Sequence, residues 1–296
     1  MFYGNWMTYI KDEAKITKIA MPGTHNSGTM GMHRIACCQN GTLFEQYCHG
    51  VRMFDIRLRA DKKGVRIAHG LLKGMPAEEA FKSLKKIIDV TDDFIVIIMR
   101  TYMNQGLGPI RLSYKGDTEG TNNLIRKYLS PEKYALTDCI NIQDLTLGDI
   151  RKSGKKYIII NENEEYDYSC NCPLDAPWSN EVFGLKPEKF IEEDLKYFDN
   201  ARTDGFFWFQ TQQTPNPGSE VGMISPKELE KLDKPLYPMF MSKISSDPVR
   251  LEKVNIVASD FMTDDFMKAN EILSFNLAKG IVKDELVAEY KAAIGK

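Results

Sequence analysis

Histidine is the side chain that most readily exchanges a proton near neutral pH, and this chain has only four, at positions 25, 33, 49 and 69. All four lie in its first quarter. His25 stands in Met21-Pro-Gly-Thr-His-Asn-Ser-Gly-Thr29, after the apolar run 16–20 and a Pro-Gly pair that favours a turn. His69 follows the short apolar segment 65–68 and precedes Gly70. Two imidazoles at separate strand ends are a natural base and acid. Arg57, in Phe54-Asp-Ile-Arg57, carries a planar fork that grips two oxygens of a phosphate. Asp260, after the segment Val254-Asn-Ile-Val-Ala258, is suited to orient one imidazole and stabilise its cation. Together these side chains compose a site for cleaving a phosphodiester without a metal. Each also has a plain structural reading, because a histidine after a strand is often only packed and an aspartate there often caps the next helix.

The elements that must position these groups follow from periodicity. Residues 16–21 read as a first strand and 50–58 as a second. In the second, Met53, Asp55, Arg57 and Arg59 share one face and Phe54, Ile56 and Leu58 the other. The apolar face would pack under helices and turn Asp55 and Arg57 into a barrel interior, where charges must be paired or bind a ligand. A solvated salt bridge on an edge strand fits the same alternation. Pro76 opens a helix with one apolar stripe, and the unbroken apolar run 94–99 suits a parallel strand buried on both faces. Helices around 122–129 and 145–151, a strand at 157–160, another at 205–210 and a last one at 254–258 complete the alternation. Helices at about 265–278 and 283–294 end the chain. The acidic stretch 161–165 is either a solvated loop or a place for sugar hydroxyls or a cation. Residues 167–190, with three prolines, read as an irregular insertion, and 211–218 as a polar loop. Alternating strands and helices over 296 residues predict one α/β domain, an irregular TIM-type barrel around a parallel core.

Composition narrows the function classes. A net charge of −2 gives no reason to expect nucleic acid, although residues 1–70 hold ten Lys/Arg against five Asp/Glu, a local field suited to a phosphate-bearing substrate. Six cysteines in so long a chain are too few for a disulfide framework and have no zinc spacing, so free thiols are expected. No apolar run reaches membrane-spanning length, and no leader with a basic start is visible. A secreted location is expected if a leader has been trimmed, and a cytoplasmic or peripheral-membrane one otherwise.

The ordered set Pro22-Gly-Thr-His-Asn-Ser-Gly-Thr29, Gln46, Gly50-Val-Arg-Met-Phe-Asp-Ile-Arg57 and His69-Gly70 resembles the X region of phosphatidylinositol-specific phospholipase C, bacterial type. The resemblance extends to 94–99, Thr146-Leu-Gly-Asp-Ile-Arg151 and Asn255-Ile-Val-Ala-Ser-Asp-Phe261. It implies an incomplete barrel with its site at the carboxyl ends of the strands. It implies His25 as general base toward the inositol 2-hydroxyl, Asp260 as its partner, Arg57 on the phosphoryl oxygens, Asp55 orienting Arg57, and His69 as general acid. The products would be diacylglycerol and inositol 1,2-cyclic phosphate. The calcium-dependent animal type carries an acidic residue where Arg57 stands, so no cofactor is expected, with calcium as the alternative. Asn26 replaces an aspartate of many bacterial relatives that assists the general acid, and an asparagine there is a calcium ligand in other relatives. Arg100, Asn161, Glu162, Trp208 and Gln210, near strand ends, are candidates for holding the inositol ring. The expected substrate is phosphatidylinositol at a membrane surface, or a glycosyl-phosphatidylinositol anchor as in similar trypanosomal enzymes, met by a peripheral monomer. A catalytically weak inositide-binding module on the same barrel is the competing reading.

Overall fold

The computed structural model describes residues 2–101, 104–107, 110–113, 116–163, 165–177, 187–202, 204–213 and 225–296. Residue 164 of the acidic stretch, 178–186 of the expected insertion and 214–218 of the polar loop lie outside them.

Hydrophobic alternation within each strand produces two apolar layers. Val96 and Ile98 face inward with Met21, Met53, Ile158, Ile160, Trp208 and Ile256. Ile95, Ile97 and Met99 face outward with Phe54, Ile56 and Leu58, against Phe81, Leu84 and Ile88 of the helix Ala77–Val90. Burying both faces is what a parallel sheet requires. Among the described residues, eight parallel strands follow one path: Ser169–Cys170, Tyr157–Asn161, Ile95–Thr101, Met53–Asp61, Met21–Thr24, Ile256–Ser259, Phe206–Gln210 and Leu174–Asp175. The two outermost have two residues each and do not pair with one another. The sheet therefore curls into an incomplete TIM-type α/β barrel, open between them. The first and last long strands, Met21–Thr24 and Ile256–Ser259, are neighbours, in register from Met21↔Ile256 to Thr24↔Ser259. No helix among the described residues is long and apolar enough to cross a membrane.

Two expectations need correction. The first strand is Met21–Thr24, not 16–21, and it runs through the Pro-Gly pair that reads as its stop. Pro22 suits an extended backbone, and its carbonyl accepts from the Arg52 amide at 2.8 Å. Gly23 serves close packing, since a Cβ there would lie 2.9 Å from Met53, 3.0 Å from Ile256 and 3.2 Å from Ala258. The stretch expected to be irregular also contains the two short edge strands, Ser169–Cys170 and Leu174–Asp175, and the start of the helix Pro187–Asp199.

Candidate active site

The backbone turn lies at Asn26, where φ is +47°, a conformation asparagine tolerates better than most residues. His25 thus stands at the carboxyl end of its strand, with the chain bending immediately after it. Its neighbours in the motif each hold something. The Ser27 hydroxyl accepts from the Asp55 amide at 2.7 Å and meets the Thr24 hydroxyl at 2.7 Å. The Ser27 amide donates to the Asp55 carbonyl at 2.9 Å, which ties the loop to the second strand. Gly28 leaves room for Ile67, which a Cβ would approach to 2.9 Å. Thr29 accepts from the Cys38 amide at 3.0 Å.

His25 Nδ1 donates to Asp260 Oδ1 at 2.8 Å, a contact that joins residues 235 apart in sequence. This carboxylate selects the tautomer with its lone pair on Nε2, which accepts from the Asn26 side-chain amide at 2.9 Å. Both side chains of the dyad are buried, His25 at 7% exposure and Asp260 at 3%. Phe261, directly after Asp260, takes φ +52°. So unusual a conformation for an aromatic residue persists only where its surroundings hold it, at a cost of about 1–3 kcal/mol. Here the Phe261 amide donates to the Cys38 carbonyl at 2.9 Å and the Met262 amide to Gln39 Oε1 at 3.2 Å.

Arg57 points into the barrel mouth as alternation predicts. Its Nε donates to Asp55 Oδ2 at 2.9 Å and its Nη2 lies 2.8 Å from the same oxygen. Asp55 also accepts from the Asn26 backbone amide at 2.8 Å. Burial pushes the Asp55 carboxyl up, but the charge and hydrogen bond of Arg57, the nearby His25 and the Asn26 amide outweigh it and hold the group below its usual range. The carboxylate therefore stays ionised and fixes the direction of the guanidinium.

His69 ends the antiparallel strand Gly64–His69, which pairs with the second strand. Its Nδ1 donates to the Ala36 carbonyl at 2.9 Å, and its ring centre is 6.3 Å from that of His25, at 84° to it. The crowding of protein atoms around its half-buried ring lowers its pKa to about 4, offset only in part by the Ala36 carbonyl. His25, Asn26, Asp55, Arg57, His69 and Asp260 thus share one mouth.

The candidates for ring binding divide. Arg57 and Arg100 are register partners on adjacent strands, and Arg100 Nε donates to Glu162 Oε2 at 2.5 Å, so an Arg-Arg-Glu row runs along the rim. Asn161 ends its strand beside Met99, with its side-chain oxygen buried and without a hydrogen-bond partner among the described residues. Gln210 accepts from the Gln212 side chain at 3.1 Å. Trp208 lies deeper, level with Ile256, and packs at 1% exposure in the interior core rather than at the mouth.

Several residues of the site carry no motif signal. Segment 36–39 is a strap: Ala36 holds His69, Cys38 holds Phe261, and Gln39 Nε2 donates to the carbonyls of His25 at 2.9 Å and Ser259 at 3.0 Å. In sequence Cys38 reads only as one of six free thiols. His25, Cys38 and Asp260 bring ligand atoms within 4.8 Å of one another. A thiol whose pKa burial drives far up, one imidazole and one carboxylate beside a guanidinium do not make the six to eight hard oxygens that calcium takes. Lys268 and Glu230, behind Asp260, stand in no motif either. Lys268 does have a signal, since it shares the buried helical face of Ile272 and Phe275.

No protein-family model matches the chain. Among solved structures, it superposes on the phosphatidylinositol-specific phospholipase C of Listeria monocytogenes with TM-score 0.63 and 17% identity, over 93% of this chain and 98% of that one. It superposes on a single-site variant of the Staphylococcus aureus phosphatidylinositol-specific phospholipase C with TM-score 0.66 and 17% identity, over 92% and 96% of the two chains. A further variant of the S. aureus protein gives TM-score 0.66 at 16% identity, over 92% and 97%. The chain therefore has the fold of the bacterial phosphatidylinositol-specific phospholipases C along nearly its whole length.

Proposed function

We propose that the protein cleaves phosphatidylinositol by intramolecular transfer of the phosphoryl group, without a metal. The observation that carries this reading is the His25–Asp260 dyad, 2.8 Å from Nδ1 to carboxylate, with the His69 ring 6.3 Å away across the same mouth. His25 Nε2 takes the proton of the inositol 2-hydroxyl, displacing the Asn26 amide from its lone pair. The freed oxygen forms a bond to phosphorus, and the bond from phosphorus to the diacylglycerol oxygen breaks. His69, anchored through Nδ1, gives a proton from Nε2 to that leaving oxygen. The products are inositol 1,2-cyclic phosphate and diacylglycerol. Arg57, held by Asp55, neutralises charge on the non-bridging oxygens as it builds, and does so without reorganising.

His69 is neutral near pH 7 in the free protein. The anionic phosphodiester entering beside it favours the imidazolium, so the substrate itself readies the acid. The donor set around His25, and Arg57 next to it, support a metal-free reaction over a calcium-dependent one. A glycosyl-phosphatidylinositol anchor presents the same scissile bond and is the related substrate.

The test is to incubate the purified protein with radiolabelled phosphatidylinositol, and separately with a glycosyl-phosphatidylinositol-anchored protein, in excess chelator. Inositol cyclic phosphate and diacylglycerol are expected. Product only after calcium is restored would overturn metal independence, and no product from either lipid in either condition would overturn the reading as an enzyme.

A further inference from the structure

Behind the dyad lies a buried lysine that the reaction as written does not use. Lys268, in the first turn of the helix Met267–Ala278, is 3% exposed. An ammonium group has three protons to satisfy and tolerates such burial only when all are engaged. Here Nζ donates to the Asp260 carbonyl at 2.6 Å and to the Ser259 hydroxyl at 2.8 Å, and it lies 2.6 Å from Glu230 Oε1. Glu230, on the helix Pro226–Asp233, is itself 4% exposed.

We infer that Lys268 is a positioning residue for the base: by gripping the backbone of Asp260, with Glu230 as counter-ion, it fixes the carboxylate that orients His25. The inference rests on the reading of His25 as base. It follows from how the last strand ends. The chain leaves the sheet at Ser259 and enters the left-handed turn at Phe261 one residue after Asp260. A residue between a strand end and a strained turn has no regular partners of its own. The Ser259 carbonyl is held by Gln39 and the Phe261 amide by Cys38, both from the strap. The Asp260 carbonyl is held by Lys268. A side chain at 260 that must meet an imidazole at 2.8 Å thus has its backbone clamped on both flanks and at its own peptide group. Near-ångström placement of this kind is worth a large factor in rate.

The groups facing Lys268 are Glu230, the Tyr237 ring at 5.8 Å, and Asp233 and Asp265 at longer range. Those facing His25 are Asp260, Asn26, Cys38, Asp55, Arg57 and His69. The test therefore separates loss of a charge from loss of a grip.

The test is to prepare Lys268→Met, Lys268→Arg and Glu230→Gln in the full chain, check their folds by near-ultraviolet circular dichroism, and follow the His25 Nδ1 proton by nuclear magnetic resonance as pH is varied. Its low-field signal should broaden or vanish in K268M and persist in K268R. With phosphatidylinositol, kcat should fall about tenfold or more in K268M while KM stays within about twofold, and K268R should recover at least half of the loss on a logarithmic scale. A folded K268M that keeps the signal and turnover would overturn the inference. So would a raised imidazole pKa with the signal intact, because removing a charge alone predicts that. If K268M does not fold, E230Q decides: a weakened signal and a kcat about threefold lower are expected, and wild-type behaviour overturns the grip. The resonance needs no substrate, so a protein inactive on every lipid but showing these signal changes would refute the proposed reaction and leave the clamp standing.

Discussion

The two histidines of the mouth are the same chemical group in opposite settings. His25 is held by side chains, a carboxylate on Nδ1 at 2.8 Å and an amide on Nε2 at 2.9 Å. His69 is held by the Ala36 carbonyl at 2.9 Å, with the Cys38 sulfur at 3.8 Å from the same nitrogen, in surroundings that disfavour its cation and lower its pKa to about 4. The first arrangement fixes the ring and its tautomer, as the proposed role of His25 as base requires. The second, under the proposed reaction, keeps the acid unloaded until an anion arrives. Under that reaction, environment and not residue type would divide the roles.

The largest expected effect breaks the pair apart by leaving group. His25→Ala should lower kcat/KM by about 10³- to 10⁴-fold whatever the leaving group. His69→Ala should cost about 10²- to 10⁴-fold with phosphatidylinositol but recover most of its rate with a nitrophenyl inositol phosphate, whose leaving oxygen needs no proton. Steady-state kinetics with both substrates decide it, and equal losses on both would erase the division of roles.

Arg57→Lys keeps the charge but loses the fork, and should lower kcat by about 10²-fold with KM little changed. Near-wild-type turnover would mean that Arg57 serves only to pair with Asp55.

The pH profiles sharpen the contrast. Because kcat/KM reports free groups, it should decline on the alkaline side of a pKa of about 4, the limb belonging to His69. In kcat that limb should lie at higher pH, since bound phosphodiester stabilises the cation. Coincident limbs would show that the substrate does not load the acid.

The smallest effect is on stability. His69 has a folded pKa of about 4 against an ordinary 6.5, so between these values the unfolded chain binds more protons and stability rises with pH. Its contribution is present above pH 6.5 and is lost as pH falls toward 4. It is no more than about 3 kcal/mol, and less because the ring is only half-buried. Denaturant titrations of wild type and His69→Gln should differ in this slope, and parallel curves would mean that the ring is solvated.

Much of the site is legible along the chain because strand alternation is local. Asp55 and Arg57 alternate with Phe54 and Ile56, so once the apolar face is buried the charged pair must point into the mouth. Partnership is not legible in this way. His25 meets Asp260 because the first and last long strands pair in register, Thr24 beside Ser259. The depth of a strand residue is equally non-local: Gln210 and Trp208 share one face, yet the pairing of Trp208 with Ile256 sinks it into the core. The strap at 36–39 is invisible for another reason, since part of its work is done by the backbone carbonyls of Ala36 and Cys38, which every residue type carries, and the rest by the Gln39 side chain, which stands in no motif.

The sequence by itself determined which side chains could do the chemistry, which face of each strand they take, and that parallel strands alternate with helices. Tertiary structure alone decided that Pro22-Gly23 continues a strand, that Ala36 and not a carboxylate holds His69, and that Lys268 stands behind Asp260. The physical reason is one of range. Propensity and periodicity act over a few residues, whereas register, desolvation and the satisfaction of a buried charge depend on segments more than 200 residues apart, as in the contact between His25 and Asp260.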